Sequence, residues 1–115
     1  MGMSINVNNG IAVIEVKGNL MGGPETLEVH EAVKAQIEKG VIKAVIDLSK
    51  VKWMNSTGLG TIMGCLTSLR NAGGDLKLAG VTEKVKSIFM ITKLLTLFET
   101  YDSAQEAAQA FENVS

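Results

Sequence analysis

Val41-Ile42-Lys43-Ala44-Val45-Ile46-Asp47-Leu48, followed shortly by Ser56-Thr57-Gly58-Leu59-Gly60, is the stretch on which the fold turns. The first run is apolar and β-branched, which suits a strand inside a sheet. From Met54 through Leu69 no side chain is charged. Leu59, Ile62, Met63, Leu66 and Leu69 recur at the spacing of one helical face, so the sequence predicts a helix over 56–71. The opposite face is small and uncharged: Gly60, Thr61, Gly64, Cys65 and Ser68. A solvated face ordinarily carries Lys, Glu and Arg. Each glycine costs the helix about 1 kcal/mol relative to Ala. Such a face is expected to be an outward contact surface that another backbone approaches closely.

Towards the N-terminus, Ser4 to Asn8 alternates like an edge strand, and Asn9-Gly10 is a two-residue hairpin signal. Ile11 to Lys17 is then the returning antiparallel strand, and 18–23 a loop. Pro24 opens a helix that runs to Lys39 and stops at Gly40, with Val29, Val33 and Ile37 as its buried row. Towards the C-terminus, 49–55 reads as a connection, and Gly73-Gly74 ends the uncharged helix. Asp75 to Ala79 reads as a strand, Thr82 as the cap of a helix with Val85, Ile88 and Phe89 inward, and Leu97 to Tyr101 as a last strand. Ser103-Ala104-Gln105-Glu106 has the form of a capping box, and Ala104, Ala107, Ala108 and Phe111 share the apolar face of the final helix. The order β-β-α-β-α-β-α-β-α predicts one α/β domain over 4–112. Its sheet is mixed and mainly parallel, with an N-terminal antiparallel hairpin and about four helices.

Composition narrows the function. The 115 residues are 46% hydrophobic and 20% charged, enough to bury a core. A net charge of -1, with one Trp, one Tyr and three Phe, argues against nucleic-acid binding. Cys65 is the single cysteine, which excludes an internal disulfide and a cysteine zinc cluster. His30, the only histidine, is expected on the surface. No apolar run reaches membrane-spanning length and no leader pattern opens the chain, so a cytoplasmic protein without membrane insertion is expected. Asp47 has no evident acid–base partner, and the glycines 58, 60 and 64 are spaced one residue too widely for a dinucleotide loop. No catalytic residue, metal ligand or cofactor site is assigned, and no enzymatic activity is expected. Phe89-Met90-Ile91 is too wide for one helical face and offers a second contact patch.

The chain resembles the STAS domain family, and within it the small stand-alone anti-sigma-factor antagonists of bacteria. The resemblance rests on Val45-Ile46-Asp47-Leu48 followed by Met54-Asn55-Ser56-Thr57-Gly58-Leu59-Gly60. Gly18-Asn19-Leu20, Gly73-Gly74-Asp75-Leu76 and Leu97-Phe98-Glu99-Thr100-Tyr101 support it. It spans roughly Ile5 to Phe111. It implies a binding module whose partner is an anti-sigma factor that is also a serine kinase. Transcription, in stress responses among others, is then regulated by partner switching. The phosphoacceptor carried over by position is Ser56, with Thr57 as the rival. Together with the small helix face, the expected contact surface is Asn55, Ser56, Thr57, Gly58, Gly60, Thr61, Gly64, Cys65 and Ser68.

The family usually has Asp where this chain has Asn55, and often an acidic residue where this chain has Met21. Asn and Asp cap helices about equally, so exchanging them at 55 is expected to change stability little. Serine is itself a preferred N-cap, which is the plain alternative to a regulatory role for Ser56. The competing function is a STAS subunit of another assembly, a lipid-transport ABC complex or a signalling scaffold, without the switch. The residues leave homo-oligomerisation open.

Overall fold

A computed structural model describes residues 2–93 and 95–112. Strands β1 (Gly2–Asn8) and β2 (Ile11–Leu20) form a hairpin, followed by α1 (Pro24–Glu38), β3 (Lys43–Met54) and α2 (Ser56–Asn71). Then come β4 (Asp75–Ala79), α3 (Glu83–Thr92), a 3-10 turn (Leu95–Leu97), β5 (Glu99–Tyr101) and α4 (Ala104–Glu112). The sheet order is β1-β2-β3-β4-β5. Only β1 and β2 are antiparallel; the remaining neighbours run parallel. The mixed sheet and its N-terminal hairpin are those that the sequence predicts. The hairpin turns on Asn9 (φ 55°) and Gly10 (φ 77°), both left-handed as a type I′ turn requires.

The strand period of two sorts side chains between the two faces of the sheet. Ala44, Ile46 and Leu48 of β3, with Leu76 and Leu78 of β4, join the large core under α1, α2 and α3. Val45 points the other way, into a smaller core with Ile11, Ala79, Ala107 and Phe111 beneath α4. Lys77 shares that second face and is buried. Its ammonium pairs with Glu99 and lies 4.6 Å from the centre of the Phe111 ring. A buried cation needs such partners. In return, the hydrogen bonds from Lys77 and Tyr101 hold the Glu99 carboxyl below its ordinary range.

Several boundaries depart from expectation. The segment 49–54 continues β3 rather than connecting it, because Val51 is buried between exposed Lys50 and Lys52 and pairs with Gly18. The alternation is that of a strand, with lysines on its wet side. Correspondingly β2 runs on to Leu20, its register shifting between Glu15 and Lys17 and again between Gly18 and Asn19. At the other end, β5 begins only at Glu99, after the 3-10 turn. Phe98 packs edge-to-face on Phe89 with ring centres 5.8 Å apart. Ser103 accepts a hydrogen bond from the Glu106 amide at 3.2 Å, as a capping residue should. Thr82 makes no side-chain cap for α3.

Candidate functional site

The start of α2 is built by a junction of three segments. β2 and β3 end side by side, Leu20 opposite Met54, and the chain turns at Asn55 into the helix. Asn55 is extended (φ -112°, ψ -175°), and its backbone amide donates to the Leu20 carbonyl at 3.2 Å. Its Oδ1 accepts from the Gly58 amide at 2.9 Å, capping the helix. Its Nδ2 donates to the Met21 carbonyl at 3.0 Å. The amide orientation is fixed by these neighbours, since an N–H faces one end and a carbonyl the other.

Asparagine is therefore not interchangeable with aspartate here. A carboxylate would keep the cap but lose the donor to Met21, setting two oxygens against each other. The donor bond to Met21 argues against the expectation that the exchange is neutral. Gly58 has an equally local reason. A Cβ there would collide with the Leu20 carbonyl oxygen, so the helix can seat on the end of β2 only without a side chain.

The loop that follows β2 is tied from its other side by Thr26 of α1. Thr26 is 2% exposed, accepts from the Gly22 amide at 2.9 Å and donates to the Gly22 carbonyl at 3.2 Å. Sequence reading missed Thr26; a threonine two residues after Pro24 was its only signal. Between these ties Ser56 and Thr57 are both exposed. Among the described residues the Ser56 hydroxyl has no hydrogen-bond partner. Asn55 already supplies the cap, so Ser56 is the first helical residue and not the capping one. The first turn contains no acidic side chain, leaving the positive end of the helix dipole uncompensated. Met21 and Trp53, from the two flanking segments, are 51% and 56% exposed, and Lys84 lies 5.3 Å from the Trp53 ring centre.

The small face of α2 is only partly outward. Gly60 is exposed with open space where a Cβ would stand, and Thr61 is half-buried with its hydroxyl donating to the Thr57 carbonyl at 3.3 Å. Gly64 and Ser68 face α1: the His30 ring lies 3.2 Å from where a Gly64 Cβ would be, and its Nε2 meets the Ser68 hydroxyl at 3.2 Å. Cys65 is fully buried, and burial pushes its thiol up to about 12. Cys65 thus belongs to the core and cannot touch a partner, while Gly64 and Ser68 serve the α1–α2 contact. The outward remainder is Ser56, Thr57, Gly60 and Thr61, on the footing of Asn55 and Gly58. His30 is correspondingly half-buried between helices rather than a free surface residue. Burial, then the charge of Lys34, lowers its pKa.

Asp47 accepts from the Ser49 amide at 3.0 Å, a local backbone role. Of the apolar run on α3, Phe89 is buried while Met90 and Ile91 are 61% and 77% exposed. Among the described residues no group of acidic, His and Cys side chains could hold a metal ion, and no helix is long and apolar enough to cross a membrane.

This architecture, a mixed five-stranded sheet with four helices, is that of a known family. The STAS domain family matches residues 3–107, and the chain belongs to that family. It is 37% identical over 75 residues to the anti-sigma-B factor antagonist of Listeria monocytogenes, a match covering 65% of this chain and 60% of that protein. The Thermotoga maritima protein TM1081 superposes with a TM-score of 0.86 at 23% identity, over 96% of this chain and 95% of that one. SpoIIAA of Bacillus, solved in its phosphorylated form, gives 0.76 at 17% identity over 96% and 99%. At those identities the two structural likenesses speak for the fold.

Proposed function

We propose that this chain is an anti-sigma-factor antagonist, a binding module without catalysis of its own. Its partner is an anti-sigma factor with serine-kinase activity. Its contact surface is centred on the start of α2, and phosphorylation of Ser56 ends the contact. Transcription is thereby regulated by partner switching. The observation that carries this reading is the division of labour between Asn55 and Ser56. The cap is supplied by the residue before, so the serine hydroxyl is exposed and unengaged. The relatives named anti-sigma-B factor antagonists support the role, and the phosphorylated form of SpoIIAA supports a switch of this type.

In the transfer, the Ser56 oxygen bonds to the γ-phosphorus of ATP, ADP leaves, and the hydroxyl proton passes to the kinase's base. The product adds about -1.5 to -2 charges to a helix start that carries no charged side chain. At a helix N-terminus free amides and the dipole receive that phosphate, so the fold tolerates it. The cost falls on the partner, which must desolvate a dianion where it met a neutral hydroxyl.

The test is incubation with the kinase-type anti-sigma factor of the same organism and Mg-ATP, followed by fragment mass spectrometry. Phosphate is expected on Ser56. Ser56→Ala should still bind the unmodified partner surface, and Ser56→Asp should bind weakly. Phosphate confined to Thr57 would move the acceptor. Binding without any phosphorylation would favour a STAS subunit lacking the switch.

A further inference from the structure

The two edges of the sheet are unlike. β5 is three residues long and carries Glu99, the kind of short, charged edge that resists pairing with another chain. β1 runs for seven residues, Gly2-Met3-Ser4-Ile5-Asn6-Val7-Asn8, without a charge or a proline, and among the described residues no element covers its outer side. Its register with β2 determines which backbone groups remain free. The type I′ turn closes on the hydrogen-bonded pair Asn8–Ile11, and antiparallel pairs alternate. Ser4, Asn6 and Asn8 therefore direct their amides and carbonyls to β2, while Met3, Ile5 and Val7 direct theirs outward.

We propose that a second copy of this chain pairs with β1, antiparallel, with Ile5 on the two-fold axis. In that register Met3 meets Val7 of the partner subunit, Ile5 meets its own counterpart, and both N–H···O bonds are exchanged at each of these pairs. The outward-directed groups of one copy are thus those that the other requires. The side chains match as well: Met3 and Ile5 pack against the large core, and Val7, on the same face by strand alternation, is 48% exposed. Pairing joins them into an apolar row, with Ser4 opposite Asn6 on the other face. No like charges meet, which an edge bearing lysine or glutamate could not achieve with itself. Space permits it: α1 packs on β2, and the two β2 strands would stand three strand spacings apart, about 14 Å, against a helix diameter of about 10–12 Å. The result is a continuous sheet through both copies, isologous and closed. The surface at Ser56 is formed by β2, β3 and α2, so the pairing leaves it free.

Sedimentation equilibrium and amide exchange on the whole chain test this. A concentration-dependent dimer is expected, with the amides of Met3, Ile5 and Val7 protected as strongly as those of Ser4, Asn6 and Asn8. Val7→Pro removes an outward donor without touching the ladder to β2, and should be monomeric, with a thermal midpoint that no longer rises with protein concentration as that of the native chain does. Ile5→Lys sets two ammonium groups face to face across the axis and should weaken the dimer at least tenfold. A monomer at about 1 mM, where even a small interface is populated, would overturn the proposal. So would a dimer in which Met3, Ile5 and Val7 exchange freely, or one that persists in both variants.

Discussion

α2 and α3 both follow a parallel strand of one sheet, each entered through an extended residue of capping type: Asn55 (φ -112°, ψ -175°) and Thr82 (φ -81°, ψ 165°). Only the first behaves as a cap. Asn55 ties the Gly58 amide to the Met21 carbonyl and so binds α2 to the loop after β2. The Thr82 hydroxyl is buried with no partner among the described residues, and α3 starts on backbone bonds alone, the Val85 and Lys86 amides on the Thr82 carbonyl. The same residue class in the same backbone conformation produces a rigid junction in one place and an unsatisfied hydroxyl in the other. What differs is the neighbour: β2 overruns its expected end and brings carbonyls to Asn55. A surface that must present one hydroxyl in a fixed position belongs on the first kind of helix start.

The junction breaks most severely at Gly58. Gly58→Ala drives a methyl into the Leu20 carbonyl, and should cost at least about 3 kcal/mol in urea unfolding or prevent folding. Gly60→Ala, two residues on, meets open space and should gain about 1 kcal/mol. If the two alanines behaved alike, the close seating of α2 on β2 would be wrong. Loss of partner binding by the stabilised Gly60→Ala protein would place the contact on that part of the helix.

Next in size is Asn55→Asp. The carboxylate retains the cap and gains from the helix dipole but faces the Met21 carbonyl without a proton, so stability should fall by up to about 1 kcal/mol, and the loop at Met21 should exchange its amides faster. Restoring the usual acidic residue of the family would thus loosen this particular junction. An unchanged midpoint would mean that the bond to Met21 contributes nothing. The converse holds at α3. Thr82→Val removes a buried hydroxyl that caps nothing, and should leave stability unchanged or raise it by up to about 1 kcal/mol. A clear loss would reveal a partner for the hydroxyl.

This contrast also marks how far the sequence could be read. Periodicity gave α2 its bounds, because Leu59 to Leu69 lie on one face and Gly73-Gly74 stop it. The alternation of β4 and the Asn9-Gly10 turn were equally plain, each encoded within a few residues. The ends of β2 and β3 were not, since Lys50 and Lys52 conceal a strand whose evidence is its pairing with Lys17 to Leu20. The candidate surface was legible only in part for the same reason. An uncharged helix face announces that something packs on it, but not whether that is a partner or the chain's own α1. His30, 38 residues before Ser68 in the chain, settles Gly64 and Ser68 in favour of α1.

The smallest effect concerns that flank. His30 sits against Gly64 and Ser68, its pKa lowered first by burial and then by Lys34. A base whose folded pKa is depressed contributes stability that is fully present above its unfolded value, about 6.5, and is lost as pH falls through the lower folded value. The half-exposed ring keeps the effect small, because solvent screens much of it. His30→Gln retains an amide able to meet the Ser68 hydroxyl but cannot titrate. Thermal midpoints measured from pH 8 down to pH 5 should therefore fall more for the native chain than for His30→Gln, with the two curves separating only below about pH 6.5. Parallel curves would mean that the imidazole gains and loses its proton equally in the folded and unfolded chains.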